Sequence, residues 1–160
     1  MYHHTQSGSL IRLLMVISLV VFLYIIWLGY RHSGLPGLRQ EEAVVTFIIL
    51  GFSVLLIIAV LLLFHNLTVF TDESSMRLKF GIGLIGKRIP FDQIESCQPV
   101  KNSWWWGWGI RRIPGGGRLY NISGLDAVEL KMKKGSVIRI GTDEPELLSA
   151  VINERLRTAG

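Results

Sequence analysis

Ala43–Phe64 reads AVVTFIILGFSVLLIIAVLLLF, 22 residues without a formal charge. Wound as an α-helix at about 1.5 Å per residue, it reaches roughly 33 Å, the thickness of a bilayer's hydrocarbon core. The stretch is therefore expected to span a membrane. Toward the N-terminus, Leu10–Tyr30 (LIRLLMVISLVVFLYIIWLGY) repeats the pattern over 21 residues. Its only charge, Arg12, lies near enough to the end to snorkel. This run is longer than the about 7–15 residues of a secretory leader's apolar core and continues into Trp27, Gly29 and Tyr30 with no small-residue cleavage site. It reads as a second span.

Between them, residues 31–42 carry Gly34, Pro36 and Gly37, which break a helix, so the two spans are expected to form a hairpin joined by a short non-cytoplasmic link. Glu41 and Glu42 suit the positive end of the second helix dipole, and Trp27 and Tyr30 suit an interfacial aromatic belt. The link offers Arg31 and Arg39, whereas the other side offers Arg12, Arg77, Lys79, Lys87 and Arg88. The positive-inside bias therefore predicts a multi-pass protein of the cell (inner) membrane with both termini cytoplasmic. Residues 1–9 read as a tail. The whole chain fits that location: of its 160 residues only 18% are charged, against about 25% in an ordinary soluble domain. Its single cysteine, Cys97, excludes an intramolecular disulfide and a Cys-rich zinc site.

Residues 66–160 are long enough for one small domain, with 14 Lys+Arg against 10 Asp+Glu. Hydrophobicity there has period two. Val128, Leu130 and Met132 alternate with Glu129, Lys131 and Lys133, and Ile138 and Ile140 flank Arg139. Matching the apolar faces sets Leu130 opposite Ile138 and Glu129 opposite Arg139. That register leaves Lys133, Lys134 and Gly135 as the loop, with glycine at the left-handed position. Five earlier strands are expected at 67–71, 76–81, 95–101, 110–113 and 118–123, making about seven antiparallel strands. One C-terminal helix then closes the chain. Asp143 and Glu146 have capping-box spacing, Pro145 sits in the first turn, and Leu147, Leu148, Val151, Ile152 and Leu156 form its apolar stripe.

Two spans followed by LTVFTDESSMRLKFGIGLIGKRIPFDQIESC, GWGIRRIPGGGRLYNISGLDAVEL and IGTDEPELLSAVI resemble the bacterial pleckstrin-homology-like (bacterial PH domain) family of small two-span membrane proteins. The IPFDQIESC segment followed by GWGIR carries most of the likeness, which covers nearly the whole chain. The resemblance implies a bent barrel of seven antiparallel strands closed at one end by the C-terminal helix. It implies no activity, since a fold does not determine function. Phosphoinositide-binding relatives carry a basic K-xn-[KR]-x-R motif across their first two strands. Here Arg77-Leu-Lys79 lacks the upstream Lys and ends in Lys, so specific phosphoinositide recognition is not implied.

Gly81, Gly83 and Gly86 spell GxGxxG, but Pro90 and strand-forming neighbours replace the helix that a phosphate cradle requires. A glycine-rich bend between strands is expected instead. The least ordinary feature is Trp104, Trp105, Trp106 and Trp108, followed by Arg111 and Arg112. Indole suits a headgroup layer or a protein groove, and arginine pairs with phosphate. On a strand, three consecutive Trp side chains cannot all enter one core. His3, His4, His32 and His65 lie in the tail, the link or beside a span, apart from the domain's carboxylates, and Cys97 reads as an inert buried thiol. No catalytic, metal-binding or cofactor-binding residues are expected.

The expected function is a non-enzymatic, membrane-anchored module. Trp104, Trp105, Trp106, Trp108, Arg111 and Arg112 would contact a protein partner or anionic lipid headgroups. An accessory subunit clamped onto another membrane protein is the alternative. Gly51 and Ser53 offer helix contacts for a second copy of the chain, but no GxxxG specifies one. A tethered domain of such modest charge is not expected to bind nucleic acid.

Overall fold

The computed structural model describes residues 2–33 and 40–159. The helix breakers Gly34, Pro36 and Gly37 lie outside the described residues, as do the side chains of Tyr30, Glu41 and Glu42. Helix α1 runs from Ser9 to Ser33 and α2 from Gln40 to Phe64, each a few residues longer than its apolar stretch because the backbone ladder continues into polar flanks. Ile11–Leu28 and Val44–Phe64 are long and apolar enough to cross a membrane, and neither is buried by the rest of the protein.

Residues 1–9, expected as a tail, instead supply strand β1, Tyr2–Ser7. It pairs antiparallel with β2 (Asn66–Thr71) from Tyr2↔Thr71 to Ser7↔Asn66. Helices α1 and α2 lie against each other, which returns the chain beside its own start. β2 continues to β3 (Ser75–Phe80) and β4 (Ile85–Pro90), giving a four-stranded sheet in the order β1-β2-β3-β4. Strand β4 is a second departure from the expected seven. It is an edge strand whose Gly86, Lys87 and Arg88 are exposed, so it carries little hydrophobic alternation. The glycine-rich bend itself is confined to the turn at residues 81–84.

The second sheet contains β5 (Ile94–Lys101), β6 (Gly109–Ile113), β7 (Gly117–Asn121), β8 (Asp126–Met132) and β9 (Val137–Gly141), in the order β5-β8-β9-β7-β6. Not every pair is antiparallel. β9 enters between β7 and β8 and runs parallel to β7. The β8–β9 hairpin has the expected register, with Leu130↔Ile138 and Glu129↔Arg139. Gly135 takes φ +81° in its loop.

Leu67, Val69, Leu78 and Phe80 from the first sheet and Val128, Leu130, Ile138 and Ile140 from the second form one buried core. Each such side chain contributes about 1.5–3 kcal/mol. Helix α3 (Pro145–Ala159) packs on β5 through Leu148 and Ile152 and donates Asn153 Nδ2 to the Cys97 carbonyl at 3.0 Å. Leu147, expected in its apolar stripe, is exposed. The capping box does not form. Thr142 Oγ1 accepts the Glu144 amide at 3.1 Å, while the Asp143 carboxylate turns to His4.

Strand β1 measures how the second sheet approaches the helices. His4 meets Asp143, just past β9, whereas Ser7, two residues before α1, accepts the Ser123 hydroxyl at 3.0 Å just past β7. The end of β7 therefore lies nearer the helices than the end of β9.

Candidate docking surface: the tryptophan turn

After β5, the Asn102 amide bonds the Leu125 carbonyl at 2.6 Å and the chain crosses the ends of the second sheet toward β6. Trp104–Trp106 is a 3₁₀ turn rather than a strand, closed by Trp106 N–H to Ser103 and Gly107 N–H to Trp104, both at 3.1 Å. Gly107 reverses the chain at φ +61°, a conformation open to glycine but strained for other residues.

Trp104 and Trp105 point outward, 64% and 75% exposed, stacked with ring centroids 3.8 Å apart. Trp106 turns inward, half-buried, with the Arg139 guanidinium 4.8 Å from its ring centroid. Arg139 is held in turn by Glu129 and by Asn102 Oδ1 at 3.4 Å. Trp108 is half-buried, and its carbonyl accepts Arg111 Nε at 2.8 Å. The six residues thus divide. Trp104 and Trp105 form one exposed plate, Trp106 anchors it, and Arg111 braces the backbone behind it. Arg112, on the opposite face of β6, does not share that surface.

Sequence reasoning missed what β1 assembles. His4 Nε2 lies 2.5 Å from Asp143 and Nδ1 3.3 Å from Glu144, so a histidine expected to stand apart from the domain's carboxylates meets two of them. Tyr2 donates to Glu144 at 3.2 Å, and burial, then Glu144, raises its phenol above the ordinary value. His3, Phe70, Asp72, Arg77 and Lys79 line an open cleft of about 350 Å³ on the outer face of the first sheet. Desolvation pushes Asp72 up, but hydrogen bonds from the Ser75 and Ser74 amides and the Ser75 hydroxyl, with the Arg77 charge, outweigh it and hold the carboxyl below its usual range. No signal for the contacts of β1 exists in a polar hexapeptide whose strand partners lie some 60 residues away.

Burial pushes the Cys97 thiol up to about 12, so it is not an activated nucleophile. Among the described residues no three His, Cys, Asp or Glu side chains gather as metal ligands. No protein-family model matches the sequence, and no curated protein is significantly similar to it.

Proposed function

We propose that this chain is a two-span protein of the cell membrane whose cytoplasmic, pleckstrin-homology-like β module docks a protein partner without catalysing a reaction. Two unburied apolar helices support the membrane location, and the excess of Arg and Lys near the chain ends supports the cytoplasmic orientation. Two packed sheets closed by α3 support the pleckstrin-homology-like assignment, with the parallel β7–β9 pair as a departure from it.

The observation that carries the docking role is the stacked Trp104–Trp105 pair. It is apolar and exposed, and tryptophan is enriched among interface hot spots. The nearby guanidiniums are engaged within the protein, Arg139 by Glu129 and Arg111 by the Trp108 carbonyl, which favours a protein over an anionic headgroup as the partner of this plate. The test is affinity purification of the full-length protein in mild detergent, comparing wild type with Trp104→Ala/Trp105→Ala. Loss of two such anchors costs at least about 2 kcal/mol, roughly 30-fold in affinity. Identical co-purifying proteins from both, with the variant still folded, would sink the proposal. In the accessory-subunit reading the same pair clamps a neighbouring membrane protein, and the same comparison reports it.

A further inference from the structure

We infer that the β3–β4 turn is a third membrane contact, in which Ile82 and Leu84 enter the interfacial layer beside the end of α2 while Lys79 and Lys87 hold phospholipid phosphates above them. The inference rests on the two-span reading and adds where the β module touches lipid.

The turn is pinned to the end of the apolar segment. Gly81 N–H bonds the Asn66 carbonyl at 2.9 Å, and Ile82 N–H bonds the Leu62 carbonyl at 3.2 Å. Leu62 lies in the last turn of the apolar stretch Val44–Phe64 and its carbonyl points toward the helix C-terminus, so Ile82 caps α2 at the level where that stretch ends. Ile82 is 57% exposed and Leu84 76%, with none of the described residues covering them. The layer that must cover the last turn of α2 also covers these two side chains.

Charge is arranged to match. No Asp or Glu occurs between Glu73 and Asp92, whereas Arg77, Lys79, Lys87 and Arg88 do. The stem of Lys79 passes Gly83, and its Nζ lies 5.3 Å over the Phe70 ring, further from the helices. That is how a lysine rooted near hydrocarbon lifts its ammonium to the headgroups. An apolar tip ringed by cations suits a lipid interface bearing anionic headgroups.

The test uses full-length protein with Cys97→Ser in nanodiscs of mixed phosphatidylcholine and phosphatidylglycerol. Nitroxide labels are placed singly through Leu84→Cys, Ile82→Cys, Phe52→Cys in the middle of α2, and Glu73→Cys at the opposite end of the first sheet. Paramagnetic accessibility is read with oxygen and a water-soluble nickel chelate. The expected result is an oxygen-to-nickel ratio at positions 82 and 84 several-fold above that at 73, approaching that at 52. Nickel accessibility at 84 equal to that at 73, with 52 in lipid, overturns this inference alone. Protection at 84 from both reagents also overturns it, in favour of a protein contact. Nickel accessibility at 52 overturns the two-span reading itself. With Lys79→Gln and Lys87→Gln the ratio at 84 falls, and an unchanged ratio overturns the role given to the two lysines.

Discussion

Arg139 and Glu129 face each other across β9 and β8, with the guanidinium Nε and Nη2 both 2.7 Å from Glu129 Oε2. Gln98 donates to the other carboxylate oxygen at 3.2 Å, and Trp106 lies against the guanidinium. The ion pair therefore joins the strand register to the turn that presents Trp104 and Trp105. Glu129→Ala leaves Arg139 charged and poorly paired beneath an indole. Because both side chains are nearly a fifth exposed, the expected loss is about 1–2 kcal/mol, below the about 3–5 of a fully buried pair. Denaturant unfolding in detergent should show it, together with a changed Trp emission before unfolding begins.

Gly81 and Gly83 both have positive φ, yet they should respond differently to alanine. A Cβ on Gly81 would come within 2.0 Å of the Leu62 carbonyl oxygen, whereas at Gly83 the nearest atom is Lys79 Cδ at 3.9 Å. Gly83→Ala bears only backbone strain of about 1 kcal/mol. Gly81→Ala adds a collision with helix backbone that no side chain can relieve, and should cost at least about 2 kcal/mol. Thermal midpoints of the two variants should be separated in that order.

Deleting residues 2–7 removes the cover from the β2 edge and the partner of Asp143 and Glu144. A bare edge strand templates association with other chains, so the truncated protein should elute from size exclusion as aggregate. Its stability should fall by about 3 kcal/mol as six residues of pairing are lost. A monodisperse, equally stable product would mean that β1 contributes nothing.

Cys97 should not react with a thiol reagent at pH 8 while the protein is folded, and should react fully in denaturant. Burial raises its native value to about 12 from 9.0, so ionisation favours the unfolded chain. The contribution is complete below pH 9.0 and declines as pH rises toward about 12. Cys97→Ala should flatten this alkaline loss while leaving stability near neutral pH within about 1–2 kcal/mol of wild type.

Where pattern and partner lie close together in the chain, the reading from sequence carried through. Leu130 and Ile138 share a face, Gly135 can take the loop's left-handed position, and the register follows from those local facts. Strand β4 escaped because Gly86, Lys87 and Arg88 on an open edge need not alternate. That three consecutive Trp would not all enter one core was legible, whereas the 3₁₀ turn that sets Trp104 and Trp105 outward and Trp106 inward was not. Asp143 matched a helix cap by spacing, but His4 offered it a charge-assisted partner that spacing alone does not reveal.

By itself, the sequence determined the two apolar helices and the β8–β9 hairpin, since continuous hydrophobicity and period two record burial within one segment. Only the tertiary structure decided that Tyr2–Ser7 would complete the first sheet, that Trp106 would turn in while Trp104 and Trp105 turned out, and that Ile82 would bond to Leu62. Each of these outcomes depends on a partner brought near by folding. A polar strand or a glycine turn carries no local trace of the surface that will receive it.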